Sequence, residues 1–153
     1  MKVVKDKNNL PKVARLLTEL GRKVIKVGIQ SDEDADLVTY ARANEFGAMI
    51  THRKGKRLKN PIIIPERSFV RSTADDPRQV KKAARAGGRT MLRGGTATQI
   101  ASAMALSMEG SIKRTITSDV PPPNAPSTLE RKPSRGTLRW SGRMKDAVRG
   151  VVA

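Results

Sequence analysis

His52 is the chain's one histidine, and an imidazole can serve as general base, nucleophile partner or metal ligand. It opens a run of cations and has no serine, cysteine or carboxylate beside it. The chain has no cysteine, which removes thiol catalysis, thiolate metal sites and disulfides together. His52 therefore reads as a strand-end residue. Asp32, Glu33, Asp34 and Asp36 form the densest acidic cluster, but their spacing matches no calcium loop. They precede Leu37, Tyr40 and Ala41 at helical spacing, where carboxylates meet exposed N–H groups and the positive end of the macrodipole. Gly87-Gly88 and Gly94-Gly95 lack the lysine–serine or strand context of a phosphate-binding loop. The other carboxylates do not pair as acid and base, and no His or Cys cluster exists to ligate a metal. The expectation is a protein without catalysis, cofactor or metal.

Positive charge is what the chain has in quantity: 31 Lys and Arg against 14 Asp and Glu, a net +17. It is most concentrated in Arg53, Lys54, Lys56, Arg57 and Lys59. Residues 48–52 and 61–64 read as strands on either side, so loop 53–60 becomes the long basic tip of a hairpin. Like charges in that tip repel, so it should project until something acidic meets it. These five cations are the candidate partner-binding residues. Two further basic segments run from Arg78 to Arg93 and from Arg131 to Arg149. Such a chain can neutralise phosphates or dock on an acidic protein surface. One Trp, one Tyr and two Phe are too few for a single-strand stacking platform. No zinc-finger, RNA-recognition or basic-zipper signature appears either. Docking on protein is the favoured reading, and non-specific nucleic-acid binding is the alternative function.

The elements that must position these residues follow from periodicity. Asn8 and Asn9 can cap a helix from Leu10 to Leu20, with Leu10, Val13, Leu16, Leu17 and Leu20 in one stripe. Ile25, Val27 and Ile29 alternate as a half-buried strand, and a second helix closes at Gly47. Asp76-Pro77 opens another helix, which Gly87-Gly88 and Gly94-Gly95 should interrupt or loosen. A longer helix from Thr96 to Ile116 carries Ile100, Met104, Met108 and Ile112 as a slanting ridge beside Ala97, Ala101, Ala105 and Gly110. That face can pack within the protomer or form a seam between subunits. Residues 120–126 are proline-rich and extended, and Ser127-Thr128-Leu129-Glu130 reads as a capping box. Residues 143–148 fit a helix or a strand, and 151–153 a final strand. The whole of 1–153 reads as one domain. Leu, Ile, Val and Phe supply only 33 of its 153 residues, a core thin enough to favour burial against neighbouring copies. The first residues are too polar for a signal peptide and no run reaches about 18 apolar residues, so a soluble, cytoplasmically made protein is expected.

The order of motifs resembles a known family. Glu45-Phe46-Gly47, a hairpin, and Ile64-Pro65-Glu66-Arg67-Ser68-Phe69-Val70 are similar to the "EFG … iPaRPFl" core of bacteriophage neck and tail-completion proteins. These are the HK97-type putative tail-component group and the related phage virion-morphogenesis proteins. Pro122-Pro123-Asn124-Ala125 and Leu138-Arg139-Trp140-Ser141-Gly142-Arg143-Met144 resemble later boxes of the family, so the likeness spans Val27 to Val148 with gaps. Ser68 stands where the family usually has proline, and Trp140-Ser141 where it has aspartate–threonine. The resemblance implies an α+β domain with a small, mainly antiparallel sheet, packed helices and a protruding hairpin. In it Glu45, Phe46, Gly47, Pro65, Arg67, Phe69, Ser141 and Gly142 are structural rather than chemical. It also implies a virion protein forming a cyclic homo-oligomer of six or twelve copies at the head–tail junction. Its partners would be the adjacent connector or neck protein and the tail-tube or terminator protein. Genome DNA would pass through the lumen with only non-specific contact, and no membrane is involved.

Overall fold

The computed structural model describes residues 9–30, 32–132, 136–139 and 141–153, so Asn8 and Trp140 lie outside the described residues. The elements are α1 (Leu10–Gly21), β1 (Ile25–Ile29), α2 (Ala35–Phe46), β2 (Ala48–Arg53), β3 (Lys56–Ile64), α3 (Arg71–Asp75), α4 (Pro77–Leu92), α5 (Ala97–Thr117), α6 (Pro126–Leu129), α7 (Arg143–Asp146) and β4 (Val148–Val152). β1 pairs antiparallel with β4, and β2 with β3, in two separate two-stranded sheets. The fold is α+β, with the small antiparallel pairing and packed helices that the sequence suggested.

α5 is the axis of the molecule: α1, α3, α4, α7, β1 and β4 all pack on it. Thr96 and Gln99 start it with a reciprocal capping box, which satisfies two amides that a helix end leaves open. Ile112 and Ile116 are each 1 % exposed and sit with Phe69, Leu138, Met144 and Val148, against Leu37 and Ala41 of α2. The opposite stretch of α5 is small. Ala101 and Ala105 let β4 approach so closely that a Cβ on Gly150 would stand 2.8 Å from the Ala105 carbonyl oxygen. Ile100 is equally buried, and Met104 covers Gly87 of α4. The ridge considered as a subunit seam is therefore largely consumed inside the protomer. Ile100 and Ile112 are core residues, whereas Met104 and Met108 are half-buried.

Three local expectations are corrected. Gly87-Gly88 does not interrupt α4, which runs through it; the missing Gly87 side chain is what admits Met104, whose Cγ lies 2.8 Å from where a Cβ would be. Ser127 caps nothing, because Pro126 already begins α6 and Ala125 holds the cap position without a side-chain bond. Asn9 likewise precedes α1 without a side-chain cap bond. By contrast, Asp76 accepts from the Arg78 amide ahead of Pro77, and Gly142, at φ +84°, turns the chain into α7.

The acidic cluster does structural work. Asp34 accepts the Asp36 amide at 2.9 Å and pairs with Arg143 at 2.8 Å, and Asp32 and Glu33 both meet Arg149. The charges of Asp32, Glu33 and Asp34 tie the start of α2 to the carboxyl-terminal segment. α1 is loosely integrated: it packs on α5, but no residue of it is buried, and Leu10 and Leu17 of its apolar stripe are 75 % and 51 % exposed.

Candidate functional site

The β2–β3 hairpin makes few contacts beyond its own two strands. Its turn is only two residues, Lys54 and Gly55, both at positive φ (51° and 75°). That is the conformation matching the right-handed twist of a two-residue hairpin, and it costs glycine nothing. The expected long loop 53–60 is therefore mostly strand, with Arg53 paired to Lys56 and His52 to Arg57. The register breaks between Ile50 and His52, where Leu58, Lys59, Asn60 and Pro61 oppose Thr51 alone. Proline cannot donate to a ladder, which suits it to this irregular stretch. Arg53, Lys54, Lys56, Arg57 and Lys59 are all exposed, and no ion pair engages them among the described residues. Apolar side chains follow nearer the base: Met49 and Ile63 are 64 % and 71 % exposed.

The root of the hairpin is held by the motif residues. Glu45, at the end of α2, is 5 % exposed and aims its carboxylate at the start of α3. Oε2 accepts the amides of Phe69 (2.8 Å) and Val70 (3.0 Å). Oε1 accepts the Arg71 amide (3.0 Å), the Ser68 hydroxyl (2.8 Å) and Arg71 Nε (3.2 Å). Burial alone would push this carboxyl up; the donors from Val70, Arg71, Ser68 and Phe69 outweigh it and hold the group below its ordinary range. Arg71 also donates to Glu66 and to the Glu45 carbonyl, and its guanidinium lies 4.8 Å from the centre of the Phe46 ring. Gly47, at φ +73°, leads from α2 into β2, and a Cβ there would press within 3.2 Å of the Ile64 oxygen and the Glu66 nitrogen. Both strands of the hairpin thus leave from one fixed block.

Arg67 extends that block to the proline-rich segment. It is 6 % exposed, and its guanidinium donates to the carbonyls of Pro122 (2.8 Å) and Pro123 (3.1 Å) while its amide donates to Asn44. Between hairpin and proline segment lies a cavity of about 830 Å³, with Tyr40, Ile62, Ile63, Pro122 and Leu138 among its walls. Its lining also includes Lys132, which donates to the Gly136 and Thr137 carbonyls. Burial, then the charges of Arg67 and Arg139, lower the Lys132 pKa, and Asp119 opposes them. Asn124 Nδ2 and Thr137 Oγ1 are shielded there without a hydrogen-bond partner among the described residues. Gly142 and Ser141 form part of the rim.

The structure thus joins Glu45, Phe46, Gly47, Pro65, Arg67 and Phe69 into one root, with Ser141 and Gly142 across the groove, and leaves the five cations projecting from it. Sequence reasoning named Glu45 and Arg67 without their partners, passed over Arg71, and met Lys132 as one cation of the basic 131–149 segment. The adjacency of Arg71 to the Pro65–Phe69 box was the one available signal. Comparison with protein-family models, curated proteins and solved structures gives no match.

Proposed function

We propose that this protein is a structural component of a bacteriophage virion, a homo-oligomeric ring of six or twelve copies at the head–tail junction. Its basic hairpin docks on the adjoining connector or tail protein. The reading rests on the motif order set out above and on one structural observation that carries it: a hairpin held rigidly at its root yet left bare along its length. Five cations with no ion-pair partner among the described residues, beside Met49 and Ile63, which pair across the strands and are 64 % and 71 % exposed, make it a surface open to a partner.

Cyclic packing supplies heterologous interfaces that cover exposed apolar surface and close on themselves. Leu10 and Leu17 of α1, 75 % and 51 % exposed, offer a second face for it.

Replacing Arg53, Lys54, Lys56, Arg57 and Lys59 together by Ser tests the docking role. Exposed charges contribute little to stability, so the variant should fold as the wild type does. Phage carrying it should accumulate filled heads and unattached tails. Normal head–tail joining by a folded variant would overturn the proposal.

A further inference from the structure

The strongest unassigned feature lies on α4, away from the hairpin. Arg78, Lys81, Lys82, Arg85, Arg89 and Arg93 are all exposed, whereas Ala83 and Gly87 on the other side of the helix are buried against α5. At 100° per residue the six cations fall within about 120° of arc, a single stripe roughly 22 Å long. No acidic residue occurs from Pro77 to Met108. Asp76 pairs with Arg78 and Glu109 with Lys113, so the carboxylates bracketing this stretch are already engaged. The side chains of Lys81, Lys82, Arg85, Arg89 and Arg93 have no ion-pair or hydrogen-bond partner among the described residues. Like charges at i,i+3 and i,i+4 repel along the whole stripe, and a polyanion laid against it relieves them.

We propose that the α4 face binds the phosphate backbone of duplex DNA without reading its sequence. The chemistry of the face selects this partner over an acidic protein. The core of a protein interface is depleted of charged residues and built around apolar or aromatic anchors, whereas this stripe carries cations from end to end and a single exposed apolar side chain, Leu92, near its carboxyl-terminal end. α4 has no aromatic residue on which an unpaired base could stack. A straight helix fits the roughly 12 Å major groove of B-form DNA between two walls of phosphate, whereas the deep, narrow groove of an RNA duplex does not admit it. The inference is independent of the head–tail reading, since the stripe shares no residue with the hairpin.

The test is fluorescence anisotropy of the full chain with a labelled random-sequence DNA duplex across a salt series. Five phosphate contacts give a log–log slope of about −4.5. Arg85→Gln, Arg89→Gln and Arg93→Gln together should reduce that slope by about 2.7 and weaken binding about 500-fold at 0.1 M salt. Lys54→Gln, Lys56→Gln and Arg57→Gln remove the same charge from the hairpin and should leave both values near wild type. Should the triple α4 variant fail to fold by circular dichroism, Arg89→Gln alone must still reduce the slope by about 0.9. Equal losses from the α4 and hairpin variants would reduce the effect to net charge and overturn the proposal. So would poly-glutamate or duplex RNA binding as tightly as duplex DNA at matched salt, and so would a wild-type slope near zero.

Discussion

Replacing Glu45 by Gln changes one atom of the buried carboxylate and removes its charge. One side of the group receives three donors and the other two, so the new NH₂ must face a set of donors whichever way the amide turns. In the less damaging orientation it faces the amides of Phe69 and Val70. Two charge-assisted bonds at about 1.5–3 kcal/mol each put the cost at about 3–6 kcal/mol. For a chain of this size each kcal/mol lowers Tm by about 2–4 °C, so a fall of about 10 °C is expected at pH 7. The pH dependence separates this cause from a packing defect. The folded-state pKa of Glu45 is depressed, so its contribution is complete above the unfolded value of about 4.3 and is lost as pH falls through the folded value. The gap in Tm between wild type and Glu45→Gln should stay constant from pH 7 to about 4.3 and narrow below it. Asp34, Asp76 and Glu109 are also depressed, but they titrate in both proteins and cancel in the difference. A gap under about 2 °C at pH 7, or one that persists unchanged through acid, would refute the reasoning.

Two further changes probe the packing. Phe69 is 1 % exposed, and Phe69→Ala should cost about 3–5 kcal/mol in denaturant unfolding, against little for Leu58→Ala on the hairpin; equal losses would mean the core is misplaced. Gly87→Val would drive a side chain into Met104 and should destabilise by about 1–3 kcal/mol, with Met104→Ala restoring part of it; no recovery in the double variant would remove Met104 as the cause.

Helices and strands were legible wherever apolar spacing or a capping residue spoke locally. Asp76-Pro77, the alternation of Ile25, Val27 and Ile29, and Gly47 before a strand are of this kind. The hairpin turn was not, because Lys54 at positive φ carries none of the Asn-Gly or Asp-Gly signal, and a run of cations resembles a solvated loop more than a strand. Gly87 misled for a related reason. Glycine weakens a helix by about 1 kcal/mol relative to alanine, and only the position of Met104, 17 residues onward, shows what the small residue admits. Ser127 has capping-box spacing to Glu130, but Pro126 is pre-organised for a first helical turn and starts the element earlier. Of the site, the five hairpin cations stood out by type alone. Glu45 and Arg67 emerged only through motif order, since nothing local announces that a carboxylate will meet amides 24 to 26 residues away. The apolar stripe of α1 was visible as amphipathic spacing, but that α5 covers only part of it, leaving Leu10 and Leu17 exposed, could be learned only from packing.

The most direct test of the central claim is a count. On the proposed reading the chain is phage-encoded, and quantitative mass spectrometry of that phage's purified virions, calibrated against the major capsid protein, gives copies per particle. The account predicts six or twelve copies, retained on tailed particles. A single copy per particle, or absence from mature virions, would contradict it.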